Sequence, residues 1–189
     1  MISAILLAAG ESKRMNGENK LTKKIKGSPL IKYSVKNIME SSVDEIIIIT
    51  GHKANDIKNS INEDSKIKFV FNNDYKTGMA SSIKVGLNNL SEKTQAFFIC
   101  LGDMPMINKD IYNQLIKKLK NKDIVVPIYK NQQGNPVLFS ISMKNEIMNI
   151  EGDNGAKKIL EKNRNKIFNL KINDEGVLKN FNTINNFNS

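Results

Sequence analysis

Five stretches of the 189-residue chain set glycine beside charged, hydroxyl or amide side chains, and each could serve a ligand. The first runs Leu7-Ala8-Ala9-Gly10-Glu11-Ser12-Lys13-Arg14-Met15, with Lys20 a little further on. Small residues at positions 8 to 10 let a ligand approach the main chain closely, and their amides can form an anion-binding nest. Arg14 and Lys20 add positive charge at spacings suited to a polyphosphate, and a guanidinium can grip two oxygens at once. The spacing fits neither a P-loop nor Gly-x-Gly-x-x-Gly. The plain alternative is a strand-to-loop turn carrying two solvated cations.

The second stretch is Leu101-Gly102-Asp103-Met104-Pro105. A carboxylate at a strand tip, after a glycine that clears space, suits a magnesium ion near a triphosphate, because that ion keeps most of its waters and needs few protein carboxylates. A turn-forming Gly-Asp stopped by Pro is the other reading. Third is Gly78-Met79-Ala80-Ser81-Ser82-Ile83, entering a helix whose free amides and serine hydroxyls could cap the helix or meet a base edge. Gly134-Asn135-Pro136-Val137 and Gly152-Asp153-Asn154-Gly155-Ala156 complete the set, each also readable as a plain turn. His52, the single histidine, has no partner carboxylate assignable from sequence. Cys100 lies inside an apolar run and reads as a small core residue.

The elements that must position these residues follow from hydrophobic patterning. Short apolar runs at 2–8, 45–50 (four consecutive isoleucines), 67–71, 96–101 and 124–127 read as buried strands, each stopped by turn residues or a change of pattern. Between them lie a polar loop over 11–24 and a helix opened by Ser28-Pro29, with Leu30, Ile31, Val35, Ile38 and Met39 on one face. Further helices are expected at 54–61, at 77–90 and from an Asn108 cap to about Leu119. After Pro127 come a loop, a strand at 137–140, two short helices and a last strand near 167–170. Apolar runs alternating with amphipathic helices predict a mostly parallel sheet covered on both faces, a three-layer Rossmann-like α/β fold. In such sheets ligands bind beyond the carboxyl ends of the strands, so the residues just after each strand are the ones to weigh.

Composition narrows the function classes. With 40% hydrophobic residues the chain can bury one core, and it is expected to form one domain over 1–189. No apolar run approaches the roughly 20 residues of a membrane span, and the first residues lack a signal peptide's basic leader and cleavage site. The lone cysteine gives no internal disulfide, so a cytoplasmic location is expected, without membrane contact. The net charge of +10 comes from scattered lysines without a basic block or interleaved aromatics, a pattern of solvated surface rather than a nucleic-acid footprint. Only two basic residues are arginine, and one of them, Arg14, lies in the first loop.

Taken together and in order, these motifs resemble the molybdenum cofactor cytidylyltransferase family, nucleotidyltransferases that mature molybdopterin. The resemblance rests on Leu-Ala-Ala-Gly-x-Ser-x-Arg-Met with Lys20, and on Thr50-Gly51-His52. It continues through Gly78-Met79-Ala80-Ser81-Ser82-Ile83-x-x-Gly86-Leu87, Gly102-Asp103-Met104-Pro105, Gly134-Asn135-Pro136-Val137-Leu138 and Gly152-Asp153-x-Gly155-Ala156. It spans essentially the whole chain. Relatives that attach GMP usually carry Leu-Ala-Gly-Gly in the first loop, so Ala8-Ala9 favours CTP. Asn180-Phe181-Asn182-Thr183-Ile184, in contrast, is closer to the Asn-x-Asn-Thr of the guanylyl relatives than to Asp-x-Asp-Thr.

The resemblance implies transfer of CMP from CTP to the terminal phosphate of molybdopterin, with release of pyrophosphate. Asp103 would anchor Mg2+. Leu7, Ala8, Ala9, Gly10 and Ser12, with Arg14 and Lys20, would hold the triphosphate, while Gly78 and Ser82 would lie near the base. Gly134, Asn135 and Asp153 would face the pterin. The nucleotide part would cover about 1–103 and the pterin part about 104–189. CTP and molybdopterin are the expected partners, with transient contact to a molybdoenzyme or its maturation chaperone. Alternatives are guanylyl transfer, activation of a sugar or other small phosphate, and a nucleotide-binding regulator without catalysis.

Overall fold

The structure is a computed structural model that describes residues 1–12, 19–153 and 155–181. Among the described residues ten strands form, in chain order: β1 (Ile2–Ala8), β2 (Lys24–Ile25), β3 (Ser28–Pro29), β4 (Glu45–Thr50), β5 (Ile67–Phe71), β6 (Ala96–Leu101), β7 (Ile124–Tyr129), β8 (Gln132–Gln133), β9 (Val137–Ser140) and β10 (Ile167–Lys171). The α-helices are α1 (Leu30–Met39), α2 (Ala54–Asn59), α3 (Met79–Asn88), α4 (Lys109–Lys118), α5 (Lys144–Ile147) and α6 (Lys157–Lys162). The main sheet runs β10-β7-β9-β6-β1-β4-β5, with β8 paired to β7, while β2 and β3 make a separate two-stranded hairpin.

β1 pairs in parallel with β4 and β6, β4 with β5, and β7 with β10. The apolar runs are continuous because both faces of this sheet are covered. On β1, Ala4, Leu6 and Ala8 face one layer with Leu30, Ile31, Val35 and Ile38 of α1 and Ile111 and Leu115 of α4. Ile5 faces the other, with Ile83 and Leu87 of α3, Ile147 of α5 and Ile159 and Leu160 of α6. Each fully buried Leu or Ile contributes on the order of 2 kcal/mol relative to exposure. The mostly parallel three-layer α/β architecture is therefore present, with helices on both faces.

Local departures have simple causes. Pro29 does not stand inside the first turn of α1; it pairs with Lys24 in the hairpin and is the N-cap, at φ −53° and ψ 139°. The Leu30 N–H instead donates to the Lys23 carbonyl at 2.9 Å, so the helix starts at Leu30. The helix expected over 77–90 is shorter, because Gly78 at φ +114° and ψ 172° separates a 3-10 turn at Tyr75–Thr77 from α3. β9 lies antiparallel between β6 and β7, pairing Ile99 with Val137 and Ala96 with Ser140. That direction brings the start of β9, and the Gly134-Asn135 turn before it, to the carboxyl end of β6. Among the described residues no helix is long and apolar enough to cross a membrane.

Candidate functional site

Beyond the carboxyl ends of β1 and β6 lies a cleft of about 460 Å³. Leu7, Ala8, Ala9, Gly10, Ser12, Lys20, Gly78, Ser82, Asp103 and Asp153 all line it. Arg14 lies outside the described residues, as do Asn154 and Asn182.

The floor is built by the register of the parallel strands. Leu7 pairs with Leu101, so residues just after β1 emerge beside Gly102 and Asp103, and the Gly102 N–H donates to the Leu7 carbonyl at 3.1 Å. A second brace comes from β4, where the His52 N–H donates to the Ala9 carbonyl at 3.2 Å. Gly51 is needed for that approach: a Cβ there would sit 2.8 Å from the Ala9 oxygen and 2.7 Å from Tyr75. A Cβ at Gly10 would meet no atom within 4 Å, so the main chain faces open space there. His52 itself has its ring 6.4 Å from Tyr75 and accepts at its carbonyl from Asn19 Nδ2 at 3.4 Å, a bracing position.

Lys20 enters from a 3-10 turn capped by Asn19, whose side chain accepts from the Leu21 N–H. Ser12 Oγ accepts from the Lys20 N–H at 3.1 Å, which ties the two described ends of the first loop together. The Lys20 ammonium lies 2.6 Å from Asp103 Oδ2, with those side chains 22% and 10% exposed. The Asp103 backbone is held separately, its carbonyl accepting from the Phe181 N–H at 2.9 Å. The Gly102 carbonyl accepts from Ser34 Oγ at 3.0 Å. The carboxylate is thus presented to the cleft by main-chain anchors that do not use its charge.

The opposite wall is the start of α3. Asp153 Oδ1 accepts from the Met79 N–H at 2.9 Å and the Gly152 carbonyl from the Ala80 N–H at 3.0 Å. Those two amides, expected to be free, are therefore occupied. Gly78 makes the docking possible: a Cβ would come 2.8 Å from the Gly152 carbonyl carbon and 2.9 Å from Asp153 Oδ1.

Gly134 and Asn135 do not line the cleft. Their turn packs on Val177, whose carbonyl accepts the Asn135 N–H at 2.8 Å, and the Gly134 N–H donates to the Pro127 carbonyl. Cys100 is 1% exposed, and burial pushes its thiol up to about 12, so it is a core residue. Burial likewise raises Tyr112, its hydrogen-bond partner.

Sequence reasoning left out Glu11, Tyr75, Lys76, Met79 and Asn180 as lining residues, and Asn72 beneath them. Asn72 directly follows β5, so weighing every strand end would have found it. Asn180 follows no strand, and its only signal is the Asn180-Phe181-Asn182-Thr183 motif. Among the described residues no three His, Cys, Asp or Glu side chains gather into a metal-holding cluster. Oxygen-bearing side chains line the cleft at Glu11, Asp103, Asp153 and Asn180, and a set with few carboxylates fits a magnesium ion taking its remaining ligands from phosphate and water.

Residues 4–167 match the model of the MobA-like NTP transferase domain. The chain is 30% identical over 139 residues to the molybdenum cofactor cytidylyltransferase of Escherichia coli, covering 74% of this chain and 70% of that protein. It is 27% identical over 143 residues to the bifunctional protein GlmU of Staphylococcus epidermidis, covering 75% of this chain but only 31% of that longer protein. Among solved structures, Rv0371c from Mycobacterium tuberculosis superposes with a TM-score of 0.82 at 22% identity, covering 90% of this chain and 87% of that one. Its complex with manganese superposes at 0.76, with 20% identity and coverage of 90% and 88%.

Proposed function

The chain belongs to the MobA-like NTP transferase domain family and is a nucleotidyltransferase, and from that premise we propose that it moves CMP from CTP to the terminal phosphate of molybdopterin carrying molybdenum. The observation that supports this most is the meeting of the 8–10 turn, Lys20 and Asp103 in one cleft.

The acceptor phosphate is already an anionic nucleophile, so no general base is required. One of its oxygens bonds to the α-phosphorus of CTP as the bond to pyrophosphate breaks, and the protein's work is alignment and charge neutralisation. The amides of residues 8–10, with Lys20 and Arg14, hold the β and γ phosphates and stabilise the leaving pyrophosphate. Asp103, with Asn180 beside the same cleft, would hold magnesium, which when bound supplies positive charge against the triphosphate oxygens. A neighbour of the same fold described as a manganese complex supports use of a divalent ion. Gly78 and Ser82 lie near the base in this reading.

Asp153 then serves two ends, capping α3 through Oδ1 while lining the cleft on what we take as the pterin side. Gly134 and Asn135 stand at the carboxyl end of the sheet and shape the acceptor end from outside the cleft. The part before residue 104 supplies most of the nucleotide contacts, and Asp153 and Asn180 bring the later part onto them. The product would pass to a molybdoenzyme or its maturation chaperone.

A second reading, guanylyl transfer, is favoured by Asn180 in the cleft, because Asn180-Phe181-Asn182-Thr183 resembles the guanylyl pattern. Pyrophosphate release measured with CTP, GTP, ATP and UTP and molybdopterin separates the two. CTP is expected to be turned over fastest. Preference for GTP would establish the second reading, and release requiring another phosphate acceptor would overturn both.

A further inference from the structure

Asn72 is 1% exposed, directly follows β5, and its backbone N–H and both polar atoms of its side chain are hydrogen-bonded. Its backbone N–H donates to the Thr50 carbonyl at 2.8 Å. Its Oδ1 accepts from the Asp74 N–H at 2.9 Å. Since a backbone N–H can only donate, the atom facing it must be the amide oxygen, and the NH2 group therefore faces α3. Nδ2 donates there to Ser81 Oγ at 2.8 Å and to Ser82 Oγ at 3.0 Å.

The two serines differ in what they do with their own protons. Ser81 Oγ donates to a carbonyl, with Gly78 O at 2.9 Å and Asp74 O at 3.0 Å. Ser82, 5% exposed and lining the cleft, has no carbonyl among the described residues to take its proton. One of its lone pairs is taken by the Asn72 amide, so the O–H cannot be donated to Asn72, and the open side left to it is the cleft that Ser82 lines.

We propose that Asn72 is a positioning residue that fixes the Ser82 hydroxyl as a hydrogen-bond donor toward an acceptor on the nucleotide base. This rests on the reading that the cleft binds a nucleoside triphosphate with its base near Ser82. Asn72 touches neither substrate nor reacting atoms; it sets the polarity of the group that touches the base. A donor of fixed direction recognises a ring nitrogen or carbonyl oxygen and repels a ring N–H, which makes Asn72 a determinant of base choice.

Asn72→Asp reverses the polarity with almost no change of shape. The carboxylate can still accept from the Asp74 N–H, and both serine hydroxyls can turn to donate to it, so three donors offset its burial. Ser82 then shows the cleft a lone pair. The Michaelis constants and kcat are measured for whichever nucleotide wild-type protein uses best, in Asn72→Asp, Ser82→Ala and the double variant. Asn72→Asp is expected to raise KM about tenfold, the scale of one lost hydrogen bond made repulsive, with kcat within about twofold. If CTP is the nucleotide, its preference over UTP also narrows, because uracil carries a ring N–H where cytosine has an acceptor.

In the Ser82→Ala background the Asn72 substitution is expected to add nothing to KM, which a purely structural role would not produce. An unchanged KM, a loss confined to kcat, or additive effects in the double variant would overturn the proposal. Should Asn72→Asp not fold, Ser82→Ala alone decides, since an unchanged KM there leaves no donor to orient. A wild-type preference for GTP would overturn cytidylyl transfer while leaving this test intact.

Discussion

Replacing Asp103 with asparagine keeps the side chain's shape and removes its charge, so it separates folding from catalysis at the point where the site is most specific. The turn does not depend on that charge. Gly102 N–H to Leu7 O, Ser34 Oγ to Gly102 O and Phe181 N–H to Asp103 O are all bonds to or from the main chain and survive the change. What is lost is the 2.6 Å pair with Lys20, whose side chain is 22% exposed and can turn to solvent. A pair in that setting is worth about 1 kcal/mol, which at this chain length lowers Tm by roughly 2–4 °C. Turnover should suffer far more. Loss of a charge that anchors the metal and triphosphate is expected to cost at least about 100-fold in kcat, or about 2.7 kcal/mol of transition-state stabilisation. Pyrophosphate release at saturating CTP and magnesium, beside a thermal melt of the same preparation, reads both quantities. Turnover within about threefold of wild type would refute the role of Asp103. A fall in activity matched by wholesale unfolding would refute the separation.

Other expectations concern the walls of the cleft and the core. Gly78→Ala forces a side chain into a backbone region that essentially only glycine adopts and against Gly152 at 2.8 Å, so a loss of about 2–4 kcal/mol and a clear drop in Tm are expected. An unchanged melt would mean the loop at 152–153 moves freely. Asp153→Ala removes the acceptor of the Met79 N–H and should lower stability by about 1 kcal/mol, whereas Asp153→Asn keeps an acceptor and should melt like wild type. Equal melts for the two variants would dismiss the cap. For Cys100, the folded thiol is raised from 9.0 to about 12, so the folded state holds its proton more tightly than the unfolded one. The resulting stability is fully present below pH 9 and is lost as pH rises toward 12, by up to about 1.4 kcal/mol per unit. Native protein should accordingly resist thiol reagents at pH 8, and rapid stoichiometric labelling there would contradict its burial.

The strands were legible because each is a short apolar run that ends at a residue with turn chemistry, and the bounds of β1, β4, β5, β6 and β9 follow the sequence pattern. Strand direction was not, since an apolar run reads the same both ways and only pairing shows that β9 runs against β6. β8 was invisible because Gln132 and Gln133 are two exposed polar residues with no apolar face. At the site, the rule that ligands lie beyond strand ends led to residues 8–10 and Asp103, and the spacing of Lys20 agreed with the loop closure that Ser12 provides. At the start of α3 it expected free amides or a serine cap, whereas the capping group comes from residue 153, distant in sequence. It also grouped Gly134 and Asn135 with the cleft residues, although their turn is spent on Val177. Asn72 was not singled out in the sequence; its use depends on serines that only the fold brings against it.

The most direct test of the central claim is a crystal structure of the protein with magnesium and a CTP analogue that cannot be cleaved at its α-phosphorus. The triphosphate should lie along residues 8–10 and Lys20, with the ion within about 2.1 Å of an Asp103 oxygen. A triphosphate bound elsewhere, or an ion coordinated by the nucleotide with Asp103 still closed on Lys20, would contradict it.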